Sequence, residues 1–148
     1  MTWMLRISLV LVLAVACFVG PAGAAPAQSR GADGDVRPRS TLYLATWTSY
    51  PRDQGNGTVA VFGYSEAVQA VDKITVKITL QKWTGSSWVN VGSVSEAGYN
   101  ADYVDTTKTI AVQRGCQYRT KSEHQVYHDG VYDPSSPKIY YSSAITVK

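Results

Sequence analysis

Apolar and polar residues alternate along most of the chain after residue 40. Ile74, Val76, Ile78 and Leu80 are separated by Thr75, Lys77 and Thr79, the period of two by which an extended strand buries one face and wets the other. Runs of this kind are rich in Tyr, Thr, Val and Ile. They are divided by turn clusters at 54–57 (QGNG), 84–87 (TGSS), 113–115 (QRG) and 133–137 (DPSSP), whose Gly, Asn, Asp and Pro favour reversals. The pattern predicts strands over 41–50, 58–65, 74–83, 88–95, 103–112, 116–127 and 138–147. Ser65 to Val71 has helical spacing but is too short to stand alone, so it reads as a turn. About seven short strands make an all-β fold, a single antiparallel β-sandwich of immunoglobulin or fibronectin type.

Two tryptophans flank the turn at Gly85-Ser86. A tight hairpin there sets Leu80 opposite Val91, Gln81 opposite Asn90 and Trp83 opposite Trp88. With Leu80 in the core, Ile78, Val89 and Val91 point inward, and Trp83 and Trp88 fall on the wetter face beside Gln81 and Asn90. The pair reads either as a cross-strand clasp or as a flat surface for binding.

The stretch from Arg114 to His128 alternates in the same way. Cys116, Tyr118, Thr120, Ser122, His124 and Val126 share one face, and Gln117, Arg119, Lys121, Glu123 and Gln125 share the other. Gly115, Tyr118 and Thr120 match the tyrosine corner that opens the sixth strand of such sandwiches, with Thr120 in the place of the antibody cysteine. Cys116 is expected to point inward as a small, reduced hydrophobe.

The N-terminus changes the picture of where this domain works. Arg6, an apolar run from Ile7 to Val19 and a Gly/Pro/Ala-rich exit read as a secretory signal peptide, too short for a membrane span. Small residues allow cleavage after Ala24 or after Ala27, and the signal peptide is assigned to residues 1–24. Residues 25–40 hold one large apolar side chain, Val36, and are expected to be a flexible leader. That leaves one β-sandwich domain over 41–148. The net charge of +3 falls by one when Arg6 is removed, and the basic residues are scattered. Neither feature suits a nucleic-acid or membrane partner. Loss of Cys17 with the leader leaves Cys116 without an internal partner.

The stretches GTVAVFGYSEAVQAVDKITVKITLQKWTGSSWVNVGS, RGCQYRTKSEHQVYHDG and SSAITV together resemble a family of small secreted bacterial proteins known as a domain of unknown function. Its pattern is a GxVxVxG strand, VDKI, an LQKW-turn-WV hairpin and a GxxYRxxxxH strand, in that order. The resemblance spans Gly57 to Val147 and implies secretion, an all-β fold and no assigned activity. The chain departs from it at Thr120 and Ser122, where the relatives usually carry more aliphatic residues.

Candidate chemistry is sparse. His124 and His128 are the only histidines, and on a strand their Cα atoms stand roughly 13 Å apart, too far to chelate one ion together. Asp129 beside His128 offers only a weak loop site, and a plain strand-end pair is the preferred reading. No GxSxG, HExxH, phosphate loop or paired-cysteine motif is present. Asn56-Gly57-Thr58 matches a glycosylation sequon but is more simply a turn.

The expectation is a secreted, non-enzymatic module with no catalytic residues, metal or cofactor. It binds a glycan, of the cell wall or the environment, or another extracellular protein through exposed aromatics. The candidate residues are Trp83, Trp88, Gln81, Asn90 and Arg119 at one end of a sheet face, and Tyr127 and Tyr140 at the other. Two alternatives are a structural envelope protein with no specific ligand, and a secreted inhibitor or effector acting through the loop 128–137.

Overall fold

The computed structural model describes residues 41–148, and every regular element among them is a strand. The predicted signal peptide, its cleavage site and the 25–40 leader lie outside the described residues. β1 (Leu44–Gly55), β2 (Thr58–Trp83), β3 (Trp88–Ala111), β4 (Gln117–His128), β5 (Val131–Tyr141) and the short β6 (Ile145–Thr146) form one antiparallel sheet.

The all-β, antiparallel expectation holds, with fewer and longer strands. The expected strands 58–65 and 74–83 are the two halves of β2, which runs for 26 residues. Those at 88–95 and 103–112 are likewise one β3 of 24 residues. The expected turn at 65–71 is a bend inside β2, where the register against β3 shifts between Glu66 and Val71. Alternation weakens there because Val68, Gln69 and Ala70 are all exposed. The last expected strand, 138–147, is divided between β5 and β6.

The bend gives β2 different neighbours along its length. Its first half lies between β1 and the end of β3, and its second half between the start of β3 and β4. The sheet therefore curls over on itself like half a barrel, two lobes continuous through β2 and β3, an arrangement consistent with a sandwich. One core fills the curl. Val59 and Val61 from the first lobe meet Ile74, Val76, Ile78, Leu80, Tyr118 and Val126 from the second. At Gly63 an added Cβ would lie 2.7 Å from the Thr48 carbonyl oxygen of neighbouring β1 and 2.9 Å from Ile78 Cδ1 of the other lobe. Only a residue without a side chain lets the lobes approach this far.

The tyrosine corner is present. Tyr118 is buried, and its hydroxyl donates to the Gln113 carbonyl at 2.9 Å and accepts from the Gln113 amide at 3.0 Å. Just before it, Gly115 and Cys116 exchange backbone hydrogen bonds with Val147, so the C-terminal residues close this end of the core. Cys116 is buried as expected but is not a free thiol. It is held in a disulfide, and no cysteine among the described residues is free. Strand parity predicts where a side chain points and carries no information on its covalent state.

Two further expectations are corrected. Val89 and Val91 are 41 % and 40 % exposed. A register shift between Leu80 and Gln81 puts Gly92, not Val91, opposite Leu80; the extra residue is a β-bulge. Residues 128–137 are also not a long loop. Asp129 and Gly130, both with positive φ, make a two-residue turn of the Asp-Gly type, and β5 begins at Val131.

Candidate functional site

The outward face of the second lobe gathers most of the predicted site. Beyond the bulge the register is as expected, with Gln81 opposite Asn90 and Trp83 opposite Trp88. The indole rings pack at 5.3 Å between centroids, tilted by 51°. Gln81 is almost fully buried beneath them. Its amide nitrogen donates to Asn90 Oδ1 at 3.0 Å, and its oxygen accepts from Arg119 Nε at 3.0 Å. This chain of polar contacts holds the Arg119 guanidinium over two rings, with Cζ 4.3 Å from the Trp88 centroid and 4.4 Å from that of Tyr141. Such stacking is the favoured geometry for arginine on aromatic faces. Partial burial pulls the Arg119 pKa below its ordinary value, opposed by Tyr141.

Tyr140, expected beside Tyr127 at the far end of the face, is not there, and Tyr141, which was not expected in the site, joins Arg119. Between His124 and Val126 the β4–β5 register shifts, so that Lys121 faces Tyr141 and Ser122 faces Tyr140. Tyr140 therefore shares the inward parity of Ser122, while Tyr141 shares the outward parity of Arg119. Tyr127 lies far from Arg119, at the other end of β4, where its ring packs against Tyr132 at 4.9 Å. On the same row, Lys73 faces both Tyr99 and Tyr127, and its ammonium stands 5.7 Å over the Tyr99 ring.

Between these aromatic ends runs a shallow, open groove lined by Lys73, Thr75, Lys77, Ser95, Glu123 and Gln125, among others. Lys77 pairs with Glu123 at 3.5 Å. The groove thus offers both donors and acceptors along its floor.

A second aromatic row escaped the sequence reading. Tyr50 packs on Phe62 at 5.2 Å, and Tyr64 stacks on Tyr103 at 5.6 Å, on the outward face of the first lobe. Its signal was present, since Phe62 and Tyr64 alternate with the buried Val59, Val61 and Gly63.

The two histidines occupy unrelated surroundings, in line with the expectation that they do not share an ion. His124 is fully buried, with Nδ1 2.8 Å from Ser65 Oγ and Nε2 2.7 Å from Ser122 Oγ. Although serine beside histidine is a nucleophile's arrangement, this one is sealed inside the core, away from any substrate. His128 sits at the strand end against Tyr43.

The fold and this face define a class, an all-β domain with a stacked aromatic and arginine cluster on an open sheet surface. No protein-family model matches the chain, and neither a curated protein nor a solved structure matches it.

Proposed function

We propose that the protein is a secreted, non-enzymatic binding module of immunoglobulin-like type that holds an extended glycan along the outward face of its second lobe. The observation that carries this reading is Arg119, within 4.4 Å of the ring centroids of both Trp88 and Tyr141 and anchored through Gln81 to Asn90. The stack holds the rings of Trp83, Trp88 and Tyr141 in fixed orientations, so little side-chain entropy remains to be lost when a sugar ring settles on them. From Arg119 to Tyr127 the strand advances roughly 26 Å, with the groove between, which suits a chain of sugars better than a single one. Mixed donors and acceptors along the floor match the hydroxyls of a neutral glycan. The tyrosine corner at Tyr118 supports the immunoglobulin-like assignment, and the leader sequence supports export.

The test is a glycan array followed by pull-down on purified cell-wall polysaccharide, with elution by the free oligosaccharide. Saturable retention on a polysaccharide, reversed by its fragment, is the expected result. Retention on no glycan, or retention that free oligosaccharide cannot reverse, overturns the proposal.

A further inference from the structure

We propose that Asp72, His128 and Asp129 form a site for one divalent transition-metal cation of the Zn2+ class, tying the bent region of β2 to the β4–β5 turn. Each residue can present one ligand atom such that all three lie within 4.8 Å of one another. His128 Nδ1 is buried and has no hydrogen-bond partner, an arrangement that costs stability unless something satisfies the nitrogen. The group facing it is Asp72 Oδ1, at 3.6 Å. That gap is too long for a hydrogen bond. It suits two ligands of one ion, each at about 2.0–2.2 Å with an angle near 120° between them.

Neighbouring groups contact the imidazole and Asp72. Asp72 Oδ2 accepts the Asp129 amide at 3.0 Å, which leaves Oδ1 as the oxygen turned to the imidazole. The Gln69 carboxamide reaches His128 Nε2, with Gln69 Nε2 at 3.1 Å; rotated by half a turn, its oxygen accepts the Nε2 proton and leaves the lone pair on Nδ1. A hydrogen bond on the remote nitrogen is the usual support of a metal-binding histidine. Tyr43 meets the ring edge-on at 4.8 Å and limits its rotation. Asp129 Oδ2 stands 3.6 Å from Nε2, so an ion on Nδ1 requires this exposed side chain to rotate towards it. One imidazole and two carboxylates, with water completing the shell, favour Zn2+ over the hard cations Ca2+ and Mg2+. The two carboxylate charges offset that of the ion.

Isothermal titration of the protein with Zn2+ alone tests the site, with the variants Asp72→Asn, Asp129→Asn and His128→Gln. Asparagine keeps the acceptor for the Asp129 amide at 72 and tolerates the positive φ at 129, so both variants retain the fold, which circular dichroism checks. One Zn2+ per chain is expected in the wild type. Affinity should fall at least about tenfold in each variant, and Zn2+ should raise the melting temperature of the wild type only. Absence of binding at millimolar Zn2+, or unchanged affinity in any of the three variants, overturns the proposal.

Discussion

At His124 the core contains a line of hydrogen bonds that closes only around a neutral ring. Ser65 Oγ donates to the Thr75 carbonyl, so it accepts from His124 Nδ1–H. His124 Nε2 then accepts from Ser122, whose oxygen accepts from Ser49, whose oxygen accepts from Thr120. Every hydroxyl donates once, and a second proton on the ring would break the line. Burial accordingly lowers the His124 pKa to about 4. The unfolded histidine takes up its proton near the ordinary value of 6.5, so the stabilisation is complete above that pH and is lost as the pH falls from 6.5 towards 4. The loss approaches about 3 kcal/mol. Chemical denaturation at pH 7.0 and 4.5 should show this slope in the wild type, and a shallower one in His124→Gln. This line also accounts for Thr120 and Ser122, which look out of place in a buried strand face. Their period is legible in the sequence, but their partners Ser49 and Ser65 come from distant strands, and nothing local announces the pairing.

At the scale of elements, the β2–β3 hairpin shows what alternation conveys and what it omits. It placed Ile74, Val76, Ile78 and Leu80 in the core and the two tryptophans outside it. The bulge at Val91 leaves no mark in the pattern, because a valine fits either face, and one extra residue reverses the parity of everything beyond it. Leu80→Ala should therefore cost about 2–5 kcal/mol, whereas Val91→Ala should stay within about 0.5 kcal/mol; urea unfolding of both measures the contrast. Trp83→Ala, losing one surface ring pair, should cost on the order of 1 kcal/mol. Gly63→Ala should cost about 1–3 kcal/mol, since its new Cβ meets backbone at Thr48 that cannot yield. A Gly63→Ala protein as stable as the wild type would show that β1 and Ile78 can both give way there.

For the whole molecule, the decisive feature is the bend that curls one sheet into two lobes. Seven short strands and one long bent hairpin share the same local alternation, so the sequence supports the all-β class but not the connectivity. The curl puts two aromatic surfaces on opposite sides, Trp83–Trp88–Arg119–Tyr141 on one lobe and Tyr50–Phe62–Tyr64–Tyr103 on the other. Trp83, Trp88, Gln81, Asn90 and Arg119 were legible because they lie within one hairpin and one adjacent strand of clean parity. Tyr141 was not, and Tyr140 was misplaced at the Tyr127 end, because the shift in the β4–β5 register changes which tyrosine faces outward and where along β4 it lies. The proposed glycan-binding face is the arginine-stacked side alone. Retention on a polysaccharide column of the wild type, Trp88→Ala and Phe62→Ala, each confirmed as folded, tests it most directly. Trp88→Ala should bind on the order of tenfold more weakly, about 1.4 kcal/mol, while Phe62→Ala binds like the wild type. Equal retention of Trp88→Ala and the wild type, or loss of retention in Phe62→Ala, would contradict the account.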